Sequence, residues 1–245
     1  MPTVHRFALL VVLLTGGIVG GPVVENGAAQ PHRHLAPVEA ADPPALDRRA
    51  LHAVYGVEAP IFRGAMRGAD RSAFPVFFAA PIGAWAGVWA LRGGGDWSDA
   101  YRLTASQVVT YGAVKGLKAL FRRPRPFVTL SEIRSRSPRY SPTGPEGASF
   151  AFPSGHAAMA FAVTASWSLS HPEWYVVAPG ALWASSVALS RVWLGVHYPS
   201  DILAGALLGT GLSLSIHLLG TVLTPDVFEG EAAMPAPALR LHIRL

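Results

Sequence analysis

Three short polar clusters interrupt an otherwise apolar sequence, and each stands at the end of an uncharged run. They occupy residues 118–126 (KALFRRPRP), 153–156 (PSGH) and 190–201 (SRVWLGVHYPSD). Charged and titratable side chains cost free energy among apolar helices and are kept there mainly for function. Together the clusters supply one lysine, several arginines, two histidines and one aspartate. These are the groups of a site that binds an anion and moves a proton.

One half of this predicted site is a cradle for a phosphate-like anion. Arginine forks match phosphate oxygens bidentately, and an ammonium adds a point charge. Arg125 and Arg191 are the candidate forks, and Lys118 is the candidate ammonium. Ser154 is a good N-cap for a helix that begins at Gly155, so free backbone N–H groups would point at the anion.

The other half of the predicted site is a pair of nitrogen bases. His197 and Asp201 are four residues apart, and the Pro-Ser between them suggests a helix start with Asp201 in its first turn. A carboxylate there can hold one ring nitrogen of His197 and leave the other as a nucleophile. His156 remains to protonate the leaving oxygen. This arrangement predicts phosphoryl transfer through a phosphohistidine, with a bell-shaped pH–rate profile and an acidic to neutral optimum.

Metal and cofactor chemistry are disfavoured by the same residues. The clusters contain no group of carboxylates for Mg²⁺ and no third histidine for a zinc triad. The chain has no cysteine, which excludes thiolate zinc sites, iron–sulfur clusters and cysteine nucleophiles. We therefore predict no metal and no cofactor. Each cluster by itself also has an ordinary interpretation: helix capping at Ser154, or a solvated basic flank at Arg122 and Arg123.

The order and spacing of the clusters resemble the signature of the type 2 phosphatidic acid phosphatase superfamily. That signature is a Lys, six residues and Arg-Pro, then Pro-Ser-Gly-His, then Ser-Arg, five residues, His, three residues and Asp. All eleven fixed positions match between Lys118 and Asp201. The resemblance implies that His197 is the nucleophile, Asp201 its orienting partner and His156 the general acid.

The resemblance also assigns the remaining motif positions. It implies that the phosphate is bound by Lys118, Arg125, Ser154, Gly155 and Arg191. Ser190 would shape the loop. Arg122 and Arg123 lie outside the fixed positions, and we predict for them at most a role in substrate approach. Arg134 and Arg136 lie in a Pro- and Ser-rich stretch outside the motif positions. Replacing either with alanine is predicted to weaken catalysis less than replacing Lys118, Arg125 or Arg191.

The composition indicates which elements must position these groups. Of 245 residues, 51% are hydrophobic and only 14% are charged, which argues against a disordered chain and an ordinary cytosolic enzyme. Uncharged runs suited to helices are residues 7–24, 73–91, 103–114, 157–170, 174–190 and 202–223. We predict an all-α, membrane-embedded bundle of five to six helices with the active site at one end.

The same runs suggest four parts of the chain. Residues 1–29 are a signal peptide or a first membrane helix. Residues 30–72 are a linker and an amphipathic helix, capped by Asp42 and apolar along the face of residues 46, 50, 53, 54 and 57. Residues 73–223 form the phosphatase bundle, and residues 224–245 are a C-terminal tail.

The function predicted from these features is hydrolysis of lipid phosphates or diphosphates by a cell-membrane protein. Its partners are the lipid substrate and the membrane, with no nucleic acid. The path of the helices places the three clusters on one face, toward the periplasm or exterior. The six arginines within residues 122–139 oppose this orientation, because basic residues favour the cytoplasmic side. The alternatives are a secreted soluble acid phosphatase, a vanadium-dependent haloperoxidase and a catalytically silent lipid-headgroup binder.

Overall fold

The chain folds into antiparallel helices. A computed structural model describes residues 43–92, 96–138, 140, 150–220 and 228, and within them it contains six longer helices, one single-turn helix and no strand. They are α1 (Ala45–Tyr55), α2 (Pro60–Arg92), α3 (Ser98–Phe121), α4 (Pro126–Thr129), α5 (Gly155–Ser170), α6 (Trp174–Trp193) and α7 (Pro199–Leu218). The predicted segment 1–29, the cap at Asp42 and the tail apart from Phe228 lie outside the described residues. The all-α prediction is confirmed.

Five of these helices correspond to five of the six predicted apolar runs, and the sixth run, 7–24, lies outside the described residues. The directions of the five helices bring the polar clusters to one end. Helix α3 ends within the first cluster, and α5 begins within the second. The third cluster spans the end of α6 and the start of α7. Because consecutive helices run in opposite directions, these four helix ends meet, and the predicted position of the site at one end of the bundle is confirmed.

Two of the described helices are long and apolar enough to cross a membrane, Pro60–Leu91 and Pro199–Leu218. At 1.5 Å per residue, a 20-residue helix matches a hydrocarbon core of about 30 Å. Helix α7 exposes a row of large apolar side chains, with Leu203, Leu207 and Leu218 each more than 60% exposed. Such a surface is suited to contact with lipid.

Helix α2 begins earlier than the uncharged run predicted. It starts at Pro60, a residue pre-set for the first turn of a helix, and continues without interruption to Arg92. The predicted boundary between residues 72 and 73 therefore falls inside a helix. The arginines before residue 73 ended the uncharged run, but they lie on exposed positions and do not end the helix.

Helix α1 buries a different face from the one predicted. Its buried residues are Asp47 and Leu51, whereas Leu46 is 80% exposed. Leu51 packs into an apolar core with Trp193 and Val196, directly under the turn that carries the third cluster. Leu46, on the predicted apolar face, is thus not buried against the bundle, because Asp47 is held inside by polar partners described below.

Helices α5 and α7 pack backbone to backbone at two glycines. A Cβ at Gly205 would lie 2.5 Å from the carbonyl oxygen of Ser154, and one at Gly209 would overlap that of Ala158. Ser213 adds a hydrogen bond, donated by its hydroxyl to the carbonyl oxygen of Ala162 at 3.1 Å. Small residues four apart allow this close approach. The starts of α5 and α7 are thereby held in fixed register.

Candidate active site

A cavity of about 790 Å³ opens among α2, α3 and α5 at the end of the bundle where the clusters meet. Its wall includes five of the predicted site residues: Lys118, Arg125, Gly155, His156 and His197. The three other predicted residues, Ser154, Arg191 and Asp201, are buried and are not part of the wall. The three clusters, up to 83 residues apart in the sequence, thus form one site.

His197 lies in the short turn between α6 and α7 and is 1% exposed. Its Nδ1 is 3.6 Å from Oδ2 of Asp201, and its Nε2 is 3.2 Å from Nη1 of Arg125. The same Oδ2 accepts a hydrogen bond from the backbone N–H of Tyr198 at 2.8 Å, which fixes the carboxylate. The ring therefore has Nδ1 toward Asp201 and Nε2 toward the cations of the cavity.

The electrostatic surroundings keep His197 neutral. Burial lowers the pKa of His197 well below its ordinary value, and the positive charges of Arg125, Lys118 and Arg191 lower it further. A neutral imidazole has a lone pair on one ring nitrogen. With Nδ1 beside the carboxylate, that lone pair is on Nε2, the nitrogen that faces the cations.

Gly195 shapes the turn that presents His197. Its φ is +72°, in the left-handed region that disfavours side chains. A Cβ there would also lie 2.9 Å from the carbonyl oxygen of Arg134. Gly195 falls at a variable position of the third cluster, so its role could not be found from the motif.

His156 stands in the first turn of α5, and its ring lies edge-on to two aromatic rings of α2. The ring centroids are 5.0 Å from Phe74 and 6.1 Å from Phe77. Ser154 caps the helix as predicted, accepting a hydrogen bond from the backbone N–H of Ala157 at 3.5 Å. A Cβ on Gly155 would meet only Val114 and Lys118, at 3.4 Å and 4.0 Å, so the space at this helix start belongs to the cavity.

The predicted cations are held by partners from several elements. Nη1 of Arg125 donates to the carbonyl oxygen of Val196 at 2.8 Å, and its guanidinium lies 4.1 Å from the ring centre of Tyr140. Lys118 donates to the carbonyl oxygen of Phe150. Arg191 forms an ion pair with Asp70 of α2. Sequence reasoning missed Asp70, because nothing in its neighbourhood connects it with residue 191.

The arginine-rich segment after α3 is more ordered than predicted. Arg136 stacks on Tyr55 at 3.8 Å from the ring centre and donates to the carbonyl oxygen of Trp193. Arg136 is therefore held by packing contacts, although it lies outside the motif positions that are predicted to bind the phosphate. Arg122 and Arg134 are exposed. Within the described part of the chain, no group of three or more His, Asp or Glu side chains is arranged to hold a metal ion.

A buried chain of ionic contacts connects α1 with the candidate catalytic pair. Nη2 of Arg123 is 2.8 Å from Oδ2 of Asp47, and Nη1 is 2.6 Å from Oδ1 of Asp201. Asp47 also accepts hydrogen bonds from the backbone N–H and the hydroxyl of Ser200. Arg123 is thus not a solvated flank. Asp47 and Arg123 hold the carboxylate of Asp201 from the side opposite His197.

Replacing Asp47 with alanine is expected to lower kcat about tenfold, near 1.4 kcal/mol, with little change in KM. Without Asp47, Arg123 keeps its hydrogen bond to the Ser200 hydroxyl and its ion pair with Asp201, so it can draw the Asp201 carboxylate away from His197. Loss of the buried partner should also reduce the free energy of unfolding by about 1–3 kcal/mol. Steady-state kinetics on a soluble phosphate ester and thermal unfolding measure both effects.

The control for this variant is Glu132→Ala. It also removes a carboxylate that binds α1, because Glu132 lies 3.0 Å from Arg48 and 3.3 Å from His52. These pairs are exposed and screened by solvent, so we expect little change in kcat or in the temperature of unfolding. Equal kinetic losses in the two variants would contradict a specific role of Asp47 at the site.

Comparison with known proteins finds similarity over the part of the chain that contains the three clusters. The model of the PAP2 superfamily matches residues 100–223, just over half of the chain and all three clusters. The undecaprenyl-diphosphatase of Sulfolobus acidocaldarius is 37% identical over 78 residues, which are 31% of this chain and 37% of that protein. The lipid A 4'-phosphatase of Bacteroides thetaiotaomicron is 38% identical over 71 residues, 29% of this chain and 31% of that protein. The matched segments thus span about a third of these relatives.

Two solved structures share the fold. Aquifex aeolicus LpxE superposes with a TM-score of 0.60 and 24% identity, covering 73% of this chain and 98% of that one. The first transmembrane PAP2-type phosphatidylglycerolphosphate phosphatase from Bacillus subtilis gives a TM-score of 0.54 and 21% identity, covering 89% and 96%. This agreement confirms the predicted helical bundle.

Proposed function

The chain belongs to the PAP2 superfamily, and from that membership we propose that it is a membrane phosphatase acting on lipid phosphates or diphosphates through a phosphohistidine. One observation carries the proposal: a single cavity has His156, His197 and three basic side chains on its wall beside a large apolar surface. The polar part suits a phosphate, and the apolar part suits the hydrocarbon chain that bears it.

The apolar part of the cavity favours a lipid over a small phosphate ester. It is formed mainly by aromatic and aliphatic side chains of α2, α3 and α5, which include Phe74, Phe77, Phe78, Val108, Tyr111 and Met159. Burial of apolar surface contributes about 25 cal/mol per Å², so a long hydrocarbon chain gains far more there than a small alcohol. The exposed leucines of α7 similarly support a membrane protein over a secreted soluble acid phosphatase.

In the first step, the lone pair on Nε2 of His197 attacks the phosphorus atom. The bond from phosphorus to the lipid oxygen breaks, and that oxygen takes a proton from His156. Arg125, Lys118 and Arg191 stabilise the charge on the phosphoryl oxygens. Asp201 stabilises the positive charge that develops on the His197 ring.

In the second step, water attacks the phosphohistidine. His156, now neutral, takes a proton from the water, and the bond from phosphorus to Nε2 breaks. The electron pair returns to His197, and inorganic phosphate leaves. Both histidines end in the states in which they began. The cationic side chains and the amides at the start of α5 neutralise the phosphate in both steps, so we expect turnover without a divalent metal.

The pH dependence of kcat/KM follows from the state of His197. Protonated His197 cannot attack, so activity falls as the pH drops through the pKa of His197. Because burial and the neighbouring cations lower that pKa, we expect the acidic limb of the profile to lie well below the ordinary histidine range. A pH–rate profile on a soluble phosphate ester measures this. An acidic limb near pH 6.5 would contradict the neutral nucleophile.

The proposed function is tested by phosphate release from a panel of lipid phosphates and diphosphates in detergent, with and without EDTA. We expect release in both conditions and inhibition by vanadate, which mimics the transferring phosphoryl group. Loss of activity in EDTA that Mg²⁺ restores would overturn the metal-independent mechanism. Active protein in the soluble fraction without detergent would favour the secreted acid phosphatase.

The proposed orientation puts the site toward the periplasm or cell exterior. The chain has no cysteine, so single cysteines can report it directly. Ser131 is exposed at the site end, and Glu173 is exposed in the connection between α5 and α6 at the opposite end. We expect Ser131→Cys to react with an impermeant thiol reagent on intact cells, and Glu173→Cys only after permeabilisation. The reverse result would support the orientation that the positive-inside rule favours.

A further inference from the structure

Three arginines follow one another at one-turn intervals near the start of α2, on a surface that the catalytic site does not use. Arg63, Arg67 and Arg71 are all exposed, and their spacing of four residues puts them in one row. Among the ion pairs of the described residues, none includes these three side chains. The neighbouring carboxylate of Asp70 is already bound to Arg191. The positive charge of the arginine row is therefore available to bind an anionic ligand.

The arginine row continues directly into the wall of the catalytic cavity. At 3.6 residues per turn, residues 63, 67, 71, 74 and 78 all lie within about 80° of one another around the axis of α2. Phe74 and Phe78 line the cavity. A lipid whose chain lies against these phenylalanines thus has its headgroup beside the arginines, on the same face of α2.

The position of Asp70 fixes the level of the row relative to the phosphate cradle. Asp70 binds Arg191, so Arg71 stands near the level of the transferred phosphate, and Arg63 is about 12 Å further outward at 1.5 Å per residue. The polar layer on each side of a bilayer is only about 5–8 Å thick. A row of this length suits anionic groups at successive depths better than the single layer of phosphates in a phospholipid surface.

We propose that Arg63, Arg67 and Arg71 form a second anion-binding subsite, which holds an anionic group of the substrate headgroup outside the phosphate that is transferred. This proposal rests on the proposed function and narrows its substrate class. The favoured substrate is a lipid with a large headgroup that carries at least two anionic groups, such as a saccharide phosphorylated at two positions. Guanidinium groups are suited to bidentate binding of such phosphates.

The test compares two probe lipids that differ by one phosphate. Both are diacylated disaccharides with a phosphate near the chains, and one has a second phosphate on the distal sugar. The variant is the triple replacement R63Q/R67Q/R71Q. Its matched control is R49Q/R122Q/R134Q, which removes three exposed arginines from the same end of the molecule and changes the net charge equally.

We expect R63Q/R67Q/R71Q to raise KM for the doubly phosphorylated lipid at least about tenfold, with kcat nearly unchanged. KM for the singly phosphorylated lipid should change less than about twofold. In the control triple, any change in KM should be the same for both lipids. Raised salt should weaken the preference of the wild type for the second phosphate. Equal changes for both lipids, or equal effects of both triples, would overturn the subsite in favour of a general electrostatic attraction.

A binding measurement separates this proposal from the proposed function. Fluorescent forms of both lipids are titrated with the His197→Ala protein, with and without the triple replacement, in neutral detergent micelles. A preference for the second phosphate that is lost with the triple supports the subsite, even if the wild type releases no phosphate. Absence of any preference would overturn the subsite, even if phosphate is released from both lipids.

Discussion

His197→Ala is expected to reduce phosphate release at least about 10⁴-fold while the protein remains folded. The imidazole is the proposed nucleophile, and its Nε2 lies 3.2 Å from Nη1 of Arg125, on the cation side of the cavity. Without it, no covalent intermediate forms. Circular dichroism and thermal unfolding should show a helical protein, because the lost side chain lies in a turn and not in a helix. Activity is measured as inorganic phosphate released from a lipid phosphate in detergent.

The matched control is His52→Ala. His52 is a half-exposed histidine at the same end of the molecule, with only an exposed contact to Glu132. It should retain activity. Acid quenching of the wild type should trap a phosphoenzyme that is absent from His197→Ala. Appreciable phosphate release by the purified His197→Ala protein would contradict the phosphohistidine mechanism.

Arg125→Ala should lower kcat about 10- to 100-fold, the second largest expected effect among single substitutions. Arg125 is 3% exposed and fixes the turn of His197 through the carbonyl oxygen of Val196. It also stands where the phosphoryl oxygens are expected. Arg125→Lys should recover little, because an ammonium cannot reach both the carbonyl and the phosphate in the geometry of a fork.

Arg134→Ala is the comparison for Arg125→Ala. Arg134 is exposed, and the contacts of its residue in the structure are backbone contacts to the Tyr55 hydroxyl. The side chain should therefore be dispensable to within about twofold in kcat. Equal losses of kcat in Arg125→Ala and Arg134→Ala would mean that the arginines act only through their combined electrostatic field and not through specific contacts. Arg136 is unsuitable for this purpose, since its stacking on Tyr55 stabilises the loop.

The lengths of the uncharged runs and the positions of the clusters between them were enough to predict the helices, and that the three clusters come together at one end of the bundle. The uncharged runs correspond to α2, α3, α5, α6 and α7, because helix length and hydropathy depend on neighbours in the sequence. The clusters meet because antiparallel helices must bring alternate ends together. The residues that line the cavity, such as His156 and His197, were found for the same reason: each stands at a helix end beside a motif.

Two acidic residues that the sequence did not reveal act through distant partners. Asp70 and Asp47 bind Arg191 and Arg123, which are 121 and 76 residues away. Asp47 also shows why the face of α1 that is buried against the bundle was not predicted. A hydrophobic periodicity assigns an aspartate to solvent, but two hydrogen bonds from Ser200 and an ion pair with Arg123 make burial of Asp47 favourable.

The glycine contacts between α5 and α7 have a consequence for how this sequence can change over evolutionary time. At Gly205 and Gly209 the distance between the two helices is set by backbone atoms, not by side chains that can repack. On the outer side of α7, Leu203 and Leu207 are 63% and 75% exposed. Substitutions there alter the match to a thicker or thinner bilayer without moving His156 relative to Asp201. The outer side of α7 can thus adapt to a new membrane, while the side packed on α5 preserves the geometry of the site.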